Sequence, residues 1–227
     1  MIDKQVRSIA EGLEGIADGS TILIGGFGSV GQPDQLIEGL IEQGAKDLIC
    51  VANNAGTGHV GLAKLMELGR VRRMVCSFPR SVGSTVFEDL YRAGKIELEL
   101  VPQGTLAERI RAAGAGIPAF FTATAANTLL ARDKEIRVIG GRTYVLEEAL
   151  HAEVALIEAW EGDRWGNLVY RSSGRNFNPI MATAGALTVA QVHHMVPLGS
   201  LDPEAIVTPG IYVNRVVHLK FGLATFL

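Results

Sequence analysis

A glycine-rich segment is the first stretch of this sequence whose composition suggests chemistry. The glycine loop, GGFGSVG at residues 25–31, contains the GxGxxG pattern of dinucleotide-binding loops. Glycines allow a tight turn and let a ligand approach the backbone closely. A dinucleotide site also needs an acidic residue at the end of the next strand, but that strand ends in Asn53 and Asn54. We therefore favour a ligand crevice over NAD binding by an oxidoreductase, while a purely structural strand-to-helix turn stays open.

Two further polar side chains follow predicted strands. Gln103, with Pro102 and Gly104 on either side, lies where a strand ends and a helix begins. An amide at such a position can donate a hydrogen bond to a developing oxyanion without carrying charge. Arg80 follows another strand, and its guanidinium can bind a carboxylate through two hydrogen bonds. From spacing alone, helix capping by Gln103 and a solvated loop position for Arg80 are the simpler interpretations.

The elements that must position these residues alternate between strands and helices in the first half of the chain. Short apolar runs predict strands at 21–24, 47–53, 73–77 and 96–101, and apolar residues at helical spacing predict a helix after each of them. This alternation is typical of an α/β protein with a mostly parallel, doubly wound sheet. The candidate residues then lie at or just beyond carboxyl ends of strands, where such proteins bind ligands.

The second half of the sequence, after Gly116, has a different pattern. We predict a hairpin around Gly140-Gly141, a strand pair at 154–160 and 165–170, and further strands at 190–196 and 212–219. A β-rich excursion with more antiparallel pairing is therefore expected beside the parallel sheet. Because no linker or repeat interrupts the chain, residues 1–227 are predicted to form a single domain.

Composition excludes several classes of protein. The formal net charge of −3 leaves no basic surplus to neutralise phosphates, so no nucleic-acid partner is expected. No apolar run reaches the ~18 residues of a membrane span, and the polar N-terminal segment is unlike a signal peptide. Cys50 and Cys76 lie in apolar runs, which predicts buried thiols and a cytoplasmic protein. No histidine or cysteine has metal-ligand spacing, so no metal site is predicted.

Several strings taken together resemble a known family. They are ILIGGFGSVGQPDQLIEGL at 22–40, PQGTLAERIRAAGAG at 102–116, GDRWGN at 162–167, GRNFNPIMATA at 174–184 and PGIYVNRVV at 209–217. In this order they resemble the A (alpha) chain of the family I coenzyme A transferases that act on 3-oxo acids, nearly from end to end. The stretch from Val75 to Gly104 most resembles the branch that uses 3-oxoadipate and succinyl-CoA. The resemblance implies a sheet of the CoA transferase/NagB-like type.

The resemblance also implies a mechanism divided between two chains. In the family, the B subunit contributes a glutamate in an ENG-type motif, which attacks the acyl-CoA, and a glutamyl-CoA thioester follows. This chain contains no ENG motif. A B-subunit partner, with A₂B₂ as the usual assembly, is therefore implied, with succinyl-CoA and a 3-oxo acid as substrates and no cofactor.

The family's site residues can be carried over position by position. Gln103 matches the glutamine that stabilises the oxyanion, and it becomes the principal catalytic candidate. The glycine loop matches the family's active-site loop, and the neighbouring strand end should face the same crevice. A distal substrate carboxylate would suit Arg80. The binding residues implied are Gly25, Gly26, Phe27, Gly28, Asn53, Asn54, Arg80 and Gly104.

One segment departs from the family pattern. Where members often read TPTGVGT, this chain reads TATAANT at 122–128, so that Ala125 and Asn127 stand in place of two glycines. If this loop contacts the substrate, the approach of the backbone is altered. A transferase with a different acceptor, or a transferase-like protein without activity, therefore stays open beside the NAD alternative.

Overall fold

A computed structural model describes residues 2–80 and 83–219 of the chain. The strands are β1 Gln5–Val6, β2 Thr21–Ile24, β3 Leu48–Asn54, β4 Val71–Phe78, β5 Glu97–Leu100, β6 Ala119–Thr122, β7 Ile136–Ile139, β8 Arg142–Glu148, β9 Ala152–Gly162, β10 Leu168–Val169, β11 Gly185–Met195 and β12 Arg215–His218. The α-helices are α1 Ile9–Gly12, α2 Asp34–Gln43, α3 Gly61–Glu67, α4 Val86–Arg92, α5 Gln103–Gly114 and α6 Asn178–Ala184. Short 3₁₀ turns occupy Leu129–Ala131, Ser172–Arg175, Pro203–Ala205 and Gly210–Tyr212.

Most strands form one sheet in the order β1-β12-β11-β9-β2-β3-β4-β5, with β10 added to β9. All pairs along this path are parallel, and among the described strands of this sheet only the β9–β10 pair is antiparallel. From β2 the chain adds β3, β4 and β5 in turn on one side. It later returns to the other side of β2, where β9, β11 and β12 are added. The mostly parallel, doubly wound fold predicted from the sequence is confirmed.

The antiparallel excursion is also confirmed, although it is smaller than the pattern suggested. It consists of β6, β8 and β7 in a three-stranded antiparallel sheet. Its hairpin turns at Gly140 and Gly141, which both have positive φ, as a two-residue hairpin turn requires.

The later strands were predicted in the right places but not with the right neighbours. The strand pair expected at 154–160 and 165–170 is present as β9 and the short antiparallel β10. However, β9, β11 and β12 pair with one another and with β2 in the main parallel sheet. Local alternation does not reveal which neighbour a strand pairs with, so the antiparallel bias predicted for these strands was wrong.

Helices cover both faces of the main sheet, and the strand residues alternate between them. Ile22 and Ile24 join the core beneath α2 and α3, whereas Leu23 joins the core beneath α5 and α6. Strands buried on both faces are what a parallel doubly wound sheet requires. Cys50 and Cys76 are fully buried in the first core, as the sequence predicted.

The helix that follows the glycine loop has clear sequence signals at both ends. Pro33 precedes Asp34 in the first turn, where an acidic residue faces the positive end of the helix dipole. Gly44 ends the helix in the left-handed conformation at φ 92°, and its N–H donates to the carbonyl oxygen of Leu40. In the part of the chain that the structure describes, no helix combines the length and apolar character needed to cross a membrane.

Candidate active site

An open crevice lies at the carboxyl ends of three neighbouring strands, β2, β3 and β4, beside the start of α5. Its cavity measures about 590 Å³. The side chains and backbone that line it are Phe27, Gly28, Ser29, Asn53, Asn54, Thr57, Ser77, Phe78, Arg80 and Gln103. It adjoins β2, where the strand order reverses direction, and this is the usual place for a ligand in an open α/β sheet. The structure thus brings together most of the candidates that the sequence identified.

The glycine loop forms a narrow turn on one side of this crevice. Phe27 and Val30 exchange two backbone hydrogen bonds, with N···O distances of 3.0 and 3.2 Å. Gly28 lies inside the turn at φ 63°, which favours glycine, and Gly26 has φ 118°, which other residues rarely adopt. The turn presents Phe27, which is 52% exposed, at the rim of the crevice.

Five backbone N–H groups of this loop, those of residues 25–28 and 30, already have partners within the chain. The N–H of Gly25 donates to the carbonyl oxygen of Leu156 at 3.0 Å, and the N–H of Gly28 donates to Asn54 Oδ1 at 3.1 Å. A dinucleotide loop instead offers such groups to a pyrophosphate at the start of a helix. Here α2 begins only at Asp34, three positions beyond Gly31. The geometry does not support the NAD alternative.

Gln103 is the first residue of α5, and its side chain enters the crevice. Its Nε2 donates a hydrogen bond to Oδ1 of Asn53 at 2.7 Å. Asn53 is only 4% exposed, so it holds the amide from a fixed position at the end of β3. An amide nitrogen carries two N–H groups, and the second is available to a substrate oxygen. This arrangement suits the oxyanion role implied by the resemblance.

Gly104 follows Gln103 in the first turn of α5 and is exposed. A Cβ atom at this position would meet nothing within 4 Å. The glycine is therefore not required by packing inside this chain. Its absent side chain keeps the surface beside Gln103 open to a ligand or to another chain.

Arg80 lies at the outer end of the crevice and is largely exposed. Its Nε forms an ion pair with Glu88 Oε1 in α4 at 2.9 Å. Glu88 also pairs with Arg92 at 3.2 Å, so it is shared between two arginines. The position of Arg80 is compatible with binding a carboxylate, and its role stays a prediction.

Among the described residues, the crevice has no carboxylate nucleophile and no base that could activate its hydroxyl groups, which belong to Ser29, Thr57 and Ser77. No carboxylate, thiol or imidazole is among the side chains that line it. Burial raises the pKa of Cys50 and of Cys76 to about 12, so neither supplies a thiolate at neutral pH. Within residues 2–80 and 83–219, no group of three or more His, Cys, Asp or Glu side chains is placed to hold a metal ion.

Two asparagines behind the glycine loop escaped prediction from the sequence. So did four residues of the lining, Ser29, Thr57, Ser77 and Phe78. Asn176 accepts a hydrogen bond from the N–H of Gly26 at 3.1 Å, and Asn178 is fully buried against the glycine loop. Both lie in the GRNFNP string, which contributed to the resemblance without a role. Two asparagines within three residues before a proline were the only local signal.

The segment at 122–128 lies away from the crevice. Thr122 ends β6, and no residue of the segment is among those that line the cavity. Ala125 and Asn127 adopt φ values of 63° and 66°. These are the two positions where the resemblance predicts glycine, and the backbone there adopts a conformation that favours glycine.

The fold and the crevice together define a class of protein. The coenzyme A transferase family model matches residues 6–219, which is nearly the whole chain. The chain belongs to the coenzyme A transferase family.

Individual relatives make the relationship more specific. The chain is 62% identical to the A subunit of 3-oxoadipate CoA-transferase from Pseudomonas putida, over 99% of this chain and 97% of that protein. It is 58% identical to the A subunit of the same transferase from Acinetobacter baylyi, over 97% and 96% of the two chains. The A subunit of a probable succinyl-CoA:3-ketoacid coenzyme A transferase from Bacillus subtilis is 49% identical over 94% and 89%.

Solved structures show the same fold at low sequence identity. The acyl-CoA transferase YdiF of Escherichia coli O157:H7 superposes with a TM-score of 0.84 at 22% identity, over 95% of this chain and 47% of that one. This chain thus spans about half the length of that transferase. Glutaconate coenzyme A-transferase of Acidaminococcus fermentans gives a TM-score of 0.81 at 20% identity, over 94% and 75%.

Proposed function

We propose that this chain is the A subunit of a two-chain coenzyme A transferase, which moves CoA from succinyl-CoA to a 3-oxo acid, with 3-oxoadipate as the acceptor. The observation that carries the proposal is the full-length identity of 62% to the A subunit of a 3-oxoadipate CoA-transferase. The crevice supports it, because Gln103 and the glycine loop line a cavity that contains no carboxylate among its described side chains. A nucleophile from a second polypeptide would complete such a site.

The proposed reaction proceeds by covalent catalysis on the partner's glutamate. The glutamate carboxylate attacks the thioester carbonyl of succinyl-CoA, which forms a mixed anhydride and releases the CoA thiolate. The thiolate then attacks the glutamyl carbonyl, so that the glutamyl-CoA thioester forms and succinate leaves. The 3-oxo acid carboxylate attacks this thioester, and the same two steps in reverse give the 3-oxoacyl-CoA. No resident cofactor takes part, because the CoA thioester is itself a substrate.

Each attack on a carbonyl develops negative charge on oxygen, and Gln103 is placed to stabilise it. Its amide is neutral, so it adds no charge that would attract the carboxylate substrates into unproductive positions. The hydrogen bond from Nε2 to Asn53 fixes the amide before the substrate binds. Donors that need no reorganisation during the reaction stabilise a transition state most effectively.

In this proposal, Arg80 gives the transferase its preference for substrates that carry a second carboxylate. Succinyl-CoA and 3-oxoadipate each carry a carboxylate away from the reacting carbon. The guanidinium of Arg80 lies at the outer end of the crevice, where it already forms an ion pair with Glu88. A substrate carboxylate would compete for the same guanidinium, which limits the expected gain in binding energy.

Reconstitution with a B subunit tests the proposal. The chain is co-purified with the B subunit of a 3-oxoadipate CoA-transferase, and 3-oxoacyl-CoA formation is followed by enolate absorbance. We expect activity with succinyl-CoA and 3-oxoadipate from the complex and none from this chain alone. Activity from the isolated chain, or a complex that prefers a monocarboxylic acceptor, would contradict the proposal. Sedimentation of the same complex checks the A₂B₂ assembly, and the cytoplasmic location stays a prediction.

A further inference from the structure

The contacts on the far side of the glycine loop extend the candidate site beyond its lining residues. We propose that Asn178 and Asn176 are positioning residues for the transfer reaction, which hold the glycine loop in one conformation against β9. The inference rests on the proposed transferase function only for its kinetic consequence, because the loop contacts themselves exist independently of any substrate.

Asn178 uses its whole side-chain amide to join separate backbone segments. Its Nδ2 donates to the carbonyl oxygen of Gly31 and to that of Gly174, both at 2.9 Å. Its Oδ1 accepts from the N–H of Glu158 in β9 at 3.0 Å. The side chain is fully buried, so loss of the amide would leave all three backbone groups without this partner, and the carbonyl oxygen of Gly31 would be left in a buried position.

The glycine loop packs directly against this amide. A Cβ atom on Gly25 would lie 1.8 Å from Asn178 Oδ1, and a Cβ atom on Gly31 would lie 2.6 Å from the carbonyl oxygen of Gly174. Gly25 does not have the positive φ that favours glycine, so its constraint is steric. The Asn178 side chain thus determines how closely the loop can approach β9.

Asn176 holds the turn of the same loop. Its Oδ1 accepts from the N–H of Gly26 at 3.1 Å, and its Nδ2 donates to the carbonyl oxygen of Val30 at 3.0 Å. One amide thus bridges both arms of the turn. An amide can serve a donor and an acceptor at once, whereas an aspartate would have no donor for the carbonyl oxygen of Val30.

The segment after the loop is attached to the same part of the sheet. Gln191 of β11 accepts from the N–H of Leu36 in α2 at 3.1 Å and donates to Glu158 Oε2 at 2.6 Å. Glu158 is also the residue whose backbone N–H binds Asn178. The loop is therefore held before and after its turn by neighbouring strands.

This attachment matters for rate because the loop forms one wall of the crevice. A displacement of about 1 Å in a group that positions reactants can lower a rate by about 10²-fold. Loss of the asparagine contacts should therefore lower kcat more than it raises KM. Asn178→Asp has a specific signature, because its carboxylate would face the carbonyl oxygens of Gly31 and Gly174. Protonation would restore one donor, so its activity relative to wild type should rise as the pH falls.

The test compares Asn178→Ala, Asn178→Asp and Asn176→Ala in the full chain with its B subunit. We expect kcat to fall by about 10- to 100-fold with KM changed by less than about 3-fold. Amide hydrogen exchange over residues 24–34 should be at least about 10-fold faster in each variant. Asn214→Ala is the matched control, since Asn214 accepts from the N–H of Thr188 at 2.7 Å near the amino end of β11. It should leave kcat and the exchange of residues 24–34 unchanged.

The outcomes separate the two proposals. Wild-type exchange over residues 24–34 in the folded Asn178 and Asn176 variants would overturn the positioning role, whatever the activity. Faster exchange with unchanged kcat would also overturn it. If Asn178→Ala does not fold, the less buried Asn176 provides the decisive variant. If the wild-type complex transfers no CoA, the proposed function fails, while the exchange data still show whether the asparagines hold the loop.

Discussion

The glycine loop and the segment at 122–128 both contain residues at positive φ, yet the chain supports them differently. In the glycine loop, Gly25 and Gly31 have no room for a side chain, and asparagine amides satisfy the backbone. In the other segment, Ala125 and Asn127 hold a similar backbone conformation with ordinary side chains. The first region is constrained by packing beside the candidate crevice, whereas the second tolerates local strain and does not line that crevice. Substitutions should therefore have large effects in the first region and small ones in the second.

Gly25→Ala should have the largest effect. The new Cβ would lie 1.8 Å from Asn178 Oδ1, a buried atom that cannot move without losing its bond to β9. We expect the free energy of unfolding to fall by roughly 3 kcal/mol or more, measured by urea denaturation, with loss of activity. Gly28→Ala is the comparison, because its Cβ would meet nothing and only the positive φ would cost about 1 kcal/mol. If both variants lost the same free energy of unfolding, the steric argument would be wrong.

Gln103→Ala should abolish most of the activity without affecting the fold. Removing one oxyanion donor typically lowers kcat by about 10²- to 10³-fold. Gln103 is exposed at the start of α5, so the melting temperature should change little. Steady-state kinetics of the two-subunit complex measure the effect. Unaltered turnover would remove Gln103 from the mechanism.

Arg80→Ala should discriminate between classes of substrate. We expect KM for succinyl-CoA and 3-oxoadipate to rise by roughly 10-fold, because a lost charged hydrogen-bond donor costs about 1.5 kcal/mol. Arg92→Ala is a matched control, since Arg92 pairs with the same Glu88 but does not line the crevice. Equal KM changes in the two variants would show that Arg80 acts only through its ion pair.

Ala125→Gly should stabilise the protein and leave its kinetics unchanged. Alanine at φ 63° carries a strain of about 1 kcal/mol that glycine avoids. The free energy of unfolding should therefore rise by up to about 1 kcal/mol. Ala126→Gly next to it should have the opposite sign, because its backbone needs no glycine and only chain entropy is added. A change in kcat for Ala125→Gly would show that this segment reaches the substrate after all.

Asp34→Asn should give the smallest effect, and only at higher pH. Burial, followed by the charges of Glu158 and Glu38, raises the pKa of Asp34 from 3.8 to about 6. A carboxyl whose pKa is raised in the folded state adds most to the free energy of unfolding below its unfolded pKa. That stabilisation is lost as the pH rises through 6. Asp34→Asn should therefore stabilise the protein by less than about 1 kcal/mol at pH 8, since solvent screens this partly exposed group. The gain should vanish near pH 4, as thermal melts across this range would show.

The same contrast explains how much of the site the sequence predicts. Asn53, Gln103 and Gly28 each follow or end a locally recognisable strand, and carboxyl ends of neighbouring parallel strands must meet at one edge. The local sequence pattern of the strands therefore predicts that these residues lie close together. Asn176 bonds a glycine 150 positions earlier in the chain, and no periodicity carries that information. The pairing of β9 beside β2 is equally non-local, which is why the later strands were assigned to the wrong kind of pairing.

The long separation between the glycine loop and its asparagines also affects how the protein is made. While a ribosome extends the chain at about 5–20 residues per second, the 150 positions from Gly26 to Asn176 take roughly 8–30 s. For most of this interval β9 has not yet been made, and the β2 edge of the nascent sheet is unpaired. Open edges invite association between chains. With only four residues, β2 presents a short edge, which limits that hazard until β9 arrives.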